Sequence, residues 1–317
     1  MSLKICAVVV TYNRKELLTR TLDALLAQTI ILDEILIIDN ASTDGTKEFI
    51  EEKKYFEHKN VSYELLSENT GGAGGFYQGV KQAYEKGYDW IWLMDDDGYP
   101  ATNDCLETLL KAQHSFDLYG PLVINDNGDE DLSFSFPSSN FDGLIENKET
   151  AIKISNEADN FTYIKDIIAP FNGILVKRNV VAKIGFPDPR LFIWGDEINY
   201  WMRCGNAGFR IGTLTNCYFY HPKAPNNNAP ILFNKKFVND PPSPLKLYCY
   251  CRNYVYNYKN LRSNIHVAWF TFKTVWFYSL SEPSPKKLKI AAKAMKDGYF
   301  EDFTHHQEYL GKSFEDY

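Results

Sequence analysis

Short apolar runs alternate with amphipathic stretches over the first hundred residues of the chain. Four runs rich in valine and isoleucine or other large apolar residues are typical of buried strands, and they occupy residues 4–10, 34–40, 61–67 and 89–94. Helical spacing is found between them, at residues 14–28, 42–56 and about 74–86. Strands that alternate with helices predict βαβ units, and therefore an α/β fold with a doubly wound, mostly parallel sheet flanked by helices.

The pattern changes after residue 125. Residues 126–165 are polar and poor in strand-forming segments, which favours a hairpin or a mobile insertion. A strand is predicted within 166–179, a helix over 193–208 that ends at glycine, and a strand over 209–222 that ends at His221. Six prolines between residues 222 and 245 indicate a linker or long loop, and the rest is predicted to be helical. The predicted domains are residues 1–225 and a linker with a C-terminal helical region, residues 226–317.

Polar loops follow the four N-terminal strands. Their sequences are TYNR, DNASTDG, ENTGGAGG and DDDG. Ligands of parallel α/β sheets bind outside the carboxyl ends of the strands, so these loops are predicted to line one binding edge together.

The third loop contains four glycines within residues 71–75. No Gly-Lys-Ser/Thr follows, and the run does not come after the first strand, so neither a P-loop nor a dinucleotide fingerprint is matched. Glycine here permits close approach of the backbone to a ligand, and the amides of a helix N-terminus favour an anion. A flexible turn is the alternative interpretation.

The fourth loop begins with three adjacent carboxylates, Asp95, Asp96 and Asp97. Because they repel one another, they need a cation, cationic side chains or free solvent. The alternative interpretation is a solvated Asp-Gly turn that binds no ligand. Oxygen ligands at this edge favour Mg²⁺ or Mn²⁺ shared with substrate phosphates, so the sequence predicts a metal-bridged diphosphate.

Net charge, cysteine content and apolar segments limit the partners and the cellular compartment that we expect for this chain. A formal net charge of −7 argues against nucleic acid as a partner. The six cysteines form no C-x-x-C pair, and no secretory signal or spanning segment is found, so a cytoplasmic location with free thiols is expected. The aromatic stretch 267–280 and the five lysines of 284–298 are compatible with peripheral contact with the inner face of a membrane. The alternative is a packed aromatic helix and a solvated lysine face.

An ordered set of motifs resembles a known family. The motifs are VVVTYNRKELLTRTLDALLAQT, ILIIDNASTDGT, ENTGGAGGFYQGV, WLMDDDGYP and FIWGDEINYWMR. Together they resemble family 2 glycosyltransferases of the GT-A fold, and NTGGAGGF with MDDDGYP is most similar to the galactofuranosyltransferase and rhamnosyltransferase branch. The resemblance covers roughly residues 4–225, and the C-terminal part resembles the helical extension of that branch less specifically.

The resemblance implies an inverting transfer of a sugar from a nucleotide diphosphate donor, with Mn²⁺ or Mg²⁺. The acceptor implied is a glycan or a lipid-linked saccharide in bacterial surface polysaccharide synthesis. UDP-galactofuranose is the favoured donor and dTDP-rhamnose is the alternative. A non-catalytic protein that binds a sugar nucleotide or glycan is the alternative from another class. Nucleotidyl transfer is disfavoured because the first loop lacks glycine.

The resemblance also implies roles for individual residues. The residues that it assigns to donor binding are Thr11, Tyr12, Arg14, Asp39, Asn40, Gly71, Gly72, Asp95 and Asp96. Metal binding falls on Asp95, Asp97 and His221, although a lone histidine is more often structural.

An acidic pair opens the helix predicted over 193–208. By the resemblance, Glu197 is the expected general base and Asp196 the second candidate. Acids favoured by the helix dipole are the alternative explanation for the pair. Trp194 is either an acceptor platform or part of the core. Relatives usually carry Asp at the position of Glu197, and many carry Asp-Asp in place of Asp39-Asn40.

Overall fold

The computed structural model describes residues 3–137, 144–158, 161–169, 171–223, 227–231 and 236–317. The chain forms two compact units, one of Met1–Pro187 with Arg203–Ala224 and one of Asp188–Met202 with Pro225–Tyr317. The boundary predicted between residues 225 and 226 falls outside the described residues and stays a prediction. The division assigns residues 188–202, which the sequence places in the first domain, to the second unit.

The first unit contains the predicted parallel strands. They are β1 (Ile5–Thr11), β2 (Glu34–Asp39), β3 (Val61–Leu65) and β4 (Trp90–Asp95), paired in the order β3-β2-β1-β4. The helices between them are α1 (Lys15–Leu26), α2 (Thr46–Glu52) and α3 (Gly71–Glu85). β1 is fully buried, and α1 buries Leu18, Leu22 and Leu25 on one face. The continuous apolar runs and the period-3.6 spacing therefore gave the right elements, and the α/β doubly wound class is confirmed.

Twelve strands in all belong to the main sheet of the described residues. The later elements of this unit are β5 (Tyr99–Pro100), α4 (Cys105–Leu110), β6 (Leu118–Asn125), β7 (Asp131–Pro137), β8 (Leu144–Asn147), α5 (Lys148–Lys153), β9 (Asn156–Ala158), β10 (Phe161–Lys165), β11 (Ile174–Lys177), α6 (Arg178–Ile184), α7 (Asp196–Asn206, of which residues 196–202 belong to the second unit) and β12 (Ile211–His221). Beyond β4 the order is β11-β6-β12-β10-β9, and β11 runs antiparallel to both β4 and β6. The sheet is therefore mixed beyond β4. The sequence did not predict this, because apolar runs indicate burial but not strand direction.

The segment 126–165 is richer in strands than its sequence predicts. β7 and β8 form an antiparallel pair, as a hairpin requires, and β9 pairs with β10. These strands carry polar residues at exposed positions, which hides them from a search for apolar runs. The expected mobile insertion falls in part on residues 138–143 and 159–160, which lie outside the described residues.

The second unit is mainly helical, which confirms the predicted C-terminal helical region. Its elements are β13 (Asn228–Ile231), β14 (Lys236–Asn239), α8 (Pro244–Leu261), α9 (Asn264–Trp276) and α10 (Pro285–Phe300). β13 and β14 pair antiparallel inside the predicted linker. Ser243 and Ser284 cap α8 and α10 by accepting a backbone N–H, each followed by a proline that suits the first turn. None of the helices formed by described residues is long and apolar enough to span a bilayer.

The glycine run lies inside α3 and not in a loop before it. α3 begins at Gly71, whose φ of 70° is left-handed, three residues earlier than predicted. A Cβ on Gly75 would lie 2.5 Å from Cγ1 of Val10, while a Cβ on Gly72 would meet nothing within 4 Å. Gly75 therefore lets α3 lie directly against β1, a packing role that the sequence analysis did not assign.

Gly75→Ala is expected to destabilise the protein by about 1–3 kcal/mol, because the added methyl overpacks a buried helix–strand contact. Gly72→Ala is the matched control on the same helix. It is expected to leave stability unchanged or raise it by about 0.5–1 kcal/mol, since alanine favours helix. Urea unfolding followed by circular dichroism measures both. Equal unfolding midpoints for the two variants would contradict the packing role of Gly75.

Candidate active site

The acidic triplet lies at the carboxyl end of β4 and is tied to the loop after β1. The hydroxyl of Thr11 donates to Oδ2 of Asp96 at 2.7 Å. Arg14 lies 3.2 Å from Asp96 Oδ1 and 2.7 Å from Asp97 Oδ2. Asp96 is buried, and the N–H of Tyr12 also reaches it at 3.4 Å. The triplet is thus partly neutralised by Arg14, and Asp96 anchors the first loop. Its predicted contact with the donor sugar stays a prediction.

The three carboxyl groups differ in how readily they hold a charge. Burial raises the pKa of Asp95 to about 8, and the charges of Asp97 and Asp96 add to this. Burial also raises the pKa of Asp96 to about 6, although Arg14 opposes it. Burial pushes the pKa of Asp97 up as well, but His221 and Arg14 outweigh it and the net shift is downward. The raised pKa values of Asp95 and Asp96 mean that their charged forms are disfavoured here, and a divalent cation beside them would favour those charged forms.

His221 ends β12 next to this cluster. Its Nε2 lies 3.1 Å from Asp97 Oδ1, and its Nδ1 lies 2.6 Å from the carbonyl oxygen of Pro222. Because a carbonyl only accepts, Nδ1 carries a proton, and in the neutral ring the Nε2 lone pair faces a carboxylate. Burial lowers the pKa of His221, but the contact with Asp97 outweighs this and the net shift is upward. Asp97 Oδ1 is buried and accepts no hydrogen bond from the residues that the structure describes. A metal ion between these two atoms would use both, so Asp97 and His221 fit the predicted metal site.

The predicted metal trio is not preassembled around one point. Among described residues, the three ligating side chains whose atoms all lie within 4.8 Å of one another are Asp297, Asp302 and His305, in the second unit. Oδ2 of Asp297 is already 2.6 Å from the hydroxyl of Tyr248 and 3.0 Å from Nδ1 of His305, so internal pairing explains that group. The assignment of a metal to Asp95, Asp97 and His221 stays a prediction.

The two residues predicted to read the base or ribose are buried and bonded within the protein. Asn40 donates to the carbonyl of Gly71 at 2.7 Å and accepts from the N–H of Thr70 at 2.9 Å. Asp39 accepts from the N–H of Ser42 at 2.7 Å and from the hydroxyl of Tyr63. Asn40 thus joins the end of β2 to the start of α3. Contact of either residue with a nucleotide stays a prediction.

The predicted acceptor and base residues lie in the second unit. Asp196 begins α7 and is buried, whereas Glu197 is half-buried and accepts the N–H of Gly195 at 3.2 Å. The greater accessibility of Glu197 suits a base that must reach a substrate. The ring of Trp194 is half-buried and lies edge-on to Tyr250, with centroids 6.2 Å apart. Trp194 therefore packs partly on α8, and its role as an acceptor platform stays a prediction.

Residues 6–185 match the family model described as glycosyl transferase family 2, which is more than half of the chain. The chain belongs to this family. Galactofuranosyltransferase GlfT1 of Mycolicibacterium smegmatis is 32% identical over 282 residues, which are 87% of this chain and 90% of the relative. The predicted family and enzyme class are therefore confirmed, and the protein is a glycosyltransferase.

Two solved structures place this family 2 glycosyltransferase in the GT-A fold. GalNAc-T7 with UDP, GalNAc and Mn²⁺ superposes with a TM-score of 0.58 at 16% identity, over 97% of this chain and 58% of that chain. S. aureus TarS in complex with UDP superposes with a TM-score of 0.54 at 17% identity, over 96% and 92%. At these identities the similarity concerns the fold, and the predicted GT-A fold is confirmed.

The sequence analysis missed three buried polar residues on α8 of this glycosyltransferase. Arg252, Asn253 and Asn257 are almost fully inaccessible to solvent. Asn253 and Asn257 are four residues apart, so they share a helix face with the apolar Cys249. That spacing within CYCRNYVYNY was the available clue, because a polar residue on a core face needs a partner.

Proposed function

We propose that this glycosyltransferase moves galactofuranose from UDP-galactofuranose to a glycan or lipid-linked saccharide acceptor, with inversion and with a divalent metal. The product would be part of a bacterial surface polysaccharide. The observation that carries the proposal is the similarity to a protein named galactofuranosyltransferase over 87% of the chain. The crowded carboxylates beside His221 support metal dependence.

In this proposal each residue has its own chemical role. Asp97 and His221, with Asp95, would hold Mn²⁺ or Mg²⁺, and the ion would neutralise the charge that develops on the leaving diphosphate. Tyr12 is exposed at the end of β1 and is available to stack on the base. Glu197 would accept the proton of the acceptor hydroxyl while that oxygen bonds to the anomeric carbon and UDP departs. One displacement of this kind inverts the anomeric configuration.

Donor identity is tested by turnover. The purified enzyme with Mn²⁺ and a saccharide acceptor is expected to release UDP from UDP-galactofuranose faster than it releases dTDP from dTDP-rhamnose. Proton NMR of the product gives the anomeric configuration. Faster turnover of dTDP-rhamnose would replace the donor proposal by the rhamnosyl alternative. Binding of UDP without turnover of either donor would favour the non-catalytic alternative.

A membrane contact is part of the proposal, because a lipid-linked acceptor is presented at a membrane surface. One face of α9 carries Ile265, Trp269, Phe272 and Val275, which are all exposed. We call it the α9 apolar face. The Trp269 and Phe272 rings stack 5.6 Å apart. Exposed aromatic side chains on one helix face suit the headgroup boundary of a bilayer.

Charge favours an anionic lipid surface as the partner of the α9 apolar face. Residues 259–296 contain eight lysines and arginines and one acidic residue, Glu282, in a chain whose net charge is −7. Three of the lysines form ion pairs with carboxylates outside this segment: Lys259 with Glu301, Lys287 with Asp240 and Lys293 with Glu308. Lys289 and Lys296 are exposed on α10. A basic segment with exposed apolar residues is attracted to acidic headgroups before the apolar side chains insert.

The double variant Trp269→Ser/Phe272→Ser is expected to bind anionic vesicles at least tenfold more weakly than the wild type, because two inserted aromatic side chains are lost. Ile31→Ser removes an apolar residue of the first unit that is even more exposed than Trp269 and Phe272, and it serves as the control. Cosedimentation with phosphatidylglycerol and with phosphatidylcholine vesicles measures both. No preference of the wild type for the anionic vesicles would contradict the membrane proposal.

A further inference from the structure

The segment that leads into α7 has an unusual backbone. Phe192, Trp194 and Gly195 all have left-handed φ values, of 67°, 60° and 98°. Side chains with a Cβ rarely adopt this conformation, and it persists where the surroundings hold it in place. Glu197, the proposed base, follows two residues after Gly195, so the direction of its side chain depends on how this segment is held.

Asn253 on α8 holds the carbonyl groups of the segment. Its Nδ2 lies 2.9, 3.0 and 2.7 Å from the carbonyl oxygens of Leu191, Ile193 and Trp194. Its Oδ1 accepts from Nε of Arg252 at 2.9 Å, which fixes the orientation of the amide. An amide carries two N–H hydrogens, so the three carbonyls share them and all must stay turned toward α8.

Asn257, one turn further along α8, links the segment to α7. Its Nδ2 donates to the carbonyl of Gly195 at 2.8 Å, and its Oδ1 accepts from Nδ2 of Asn199 at 2.8 Å. Asn199 lies on α7 itself, and the N–H of Gly195 donates to Glu197 Oε2 at 3.2 Å. Hydrogen bonds therefore connect α8 to the first turn of α7 on both sides of Glu197.

Stability alone is a poor explanation for these amides. Asn253 and Asn257 are 0% and 1% exposed, on a helix whose other buried positions include Leu247, Cys251 and Val255. Burying a polar side chain carries a desolvation cost that a well-packed apolar residue avoids. The two amides instead orient four backbone carbonyl groups by donating hydrogen bonds to them, which an apolar side chain could not do.

We propose that Asn253 and Asn257 are positioning residues, which hold residues 191–195 so that Glu197 and Trp194 are presented for glycosyl transfer. The inference rests on the proposed function of this site. Neither asparagine touches the substrate in this proposal. Both act through the segment that they bind.

Asn257→Ala is expected to lower kcat about 10–100-fold, since a displaced catalytic group is costly, and to leave the donor KM and the affinity for UDP within twofold. Asn260→Ala is the matched control, because Asn260 is exposed on the same helix and donates to the carbonyl of Tyr256. Should Asn257→Ala not fold, Asn257→Asp keeps the acceptor for Asn199 and removes the donor to Gly195. A kcat within twofold of the wild type would overturn the proposal.

A double-mutant cycle separates positioning from general damage. If Asn257 acts through Glu197, the loss of kcat caused by Asn257→Ala is much smaller in a Glu197→Gln background, where only its effect on Trp194 remains. Losses that multiply would overturn the proposal.

Hydrogen exchange gives a readout that does not depend on turnover. Asn257→Ala is expected to speed exchange of the amides of residues 195–199, and Asn260→Ala is not. If the wild type transfers no sugar while this exchange changes as expected, the proposed function fails and the positioning of the segment stands. Unchanged exchange in Asn257→Ala overturns the positioning role by itself.

Discussion

Glu197→Gln is expected to lower kcat for glycosyl transfer by about 10²–10⁴-fold, with the affinity for UDP unchanged. Glutamine has nearly the same size and keeps an oxygen that can accept the N–H of Gly195, but it cannot take a proton from the acceptor hydroxyl. Initial rates with UDP-galactofuranose and calorimetric titration of UDP measure the two quantities separately.

Two further variants make this result specific. Glu282→Gln removes an exposed carboxylate from the same unit and is expected to retain full activity. Asp196→Asn tests the second candidate, which is buried at the first position of α7. If Asp196→Asn abolishes turnover and Glu197→Gln does not, the base is Asp196 and the assignment to Glu197 is wrong.

Removal of the metal is expected to weaken UDP binding about 100-fold or more, a difference of about 2.8 kcal/mol. Without a cation, the diphosphate would face the carboxylates of Asp96 and Asp97, which Arg14 neutralises only in part. Titration of UDP into the protein with Mn²⁺, and again after treatment with EDTA, gives the comparison. Equal affinity under both conditions would show that the metal is not needed for donor binding.

Asp97→Asn refines this expectation, because it removes one proposed metal ligand and one negative charge. With Mn²⁺ the variant is expected to bind UDP more weakly than the wild type. With EDTA it is expected to bind UDP at least as well, since less negative charge faces the diphosphate. Glu51→Gln on α2 removes an exposed carboxylate and controls for the change in net charge. A variant that matches the wild type in Mn²⁺ would exclude Asp97 as a ligand.

The sequence was sufficient for the class of fold and for the order of the motifs, because periodicity reports which faces are buried. It predicted β1 to β4 and placed Asp95 to Asp97 at the sheet edge. It could not give the direction of β11, since an apolar run has the same pattern in either direction. The start of α3 was placed three residues late, because glycine was interpreted as a loop former and not as a packing residue.

The hydrogen-bond and ion-pair partners of the side chains could not be predicted from the sequence. Thr11 and Asp96 are 85 residues apart in the chain, and Asn257 and Gly195 are 62 apart. No local pattern indicates such pairs, because they arise only when separate elements pack together. The motif resemblance named Arg14 as a donor-binding residue, which stays a prediction, but it did not indicate that Arg14 pairs with two carboxylates of the triplet.

The contact between Gly75 and Val10 also constrains how this chain can vary. The missing side chain on α3 is matched by a branched side chain on β1, so the two positions share a fixed volume. A larger residue at 75 calls for a smaller one at 10, and neither change alone is neutral. We therefore expect the residues at positions 10 and 75 to covary among related sequences. We also expect Val10→Ala to restore part of the stability that Gly75→Ala removes.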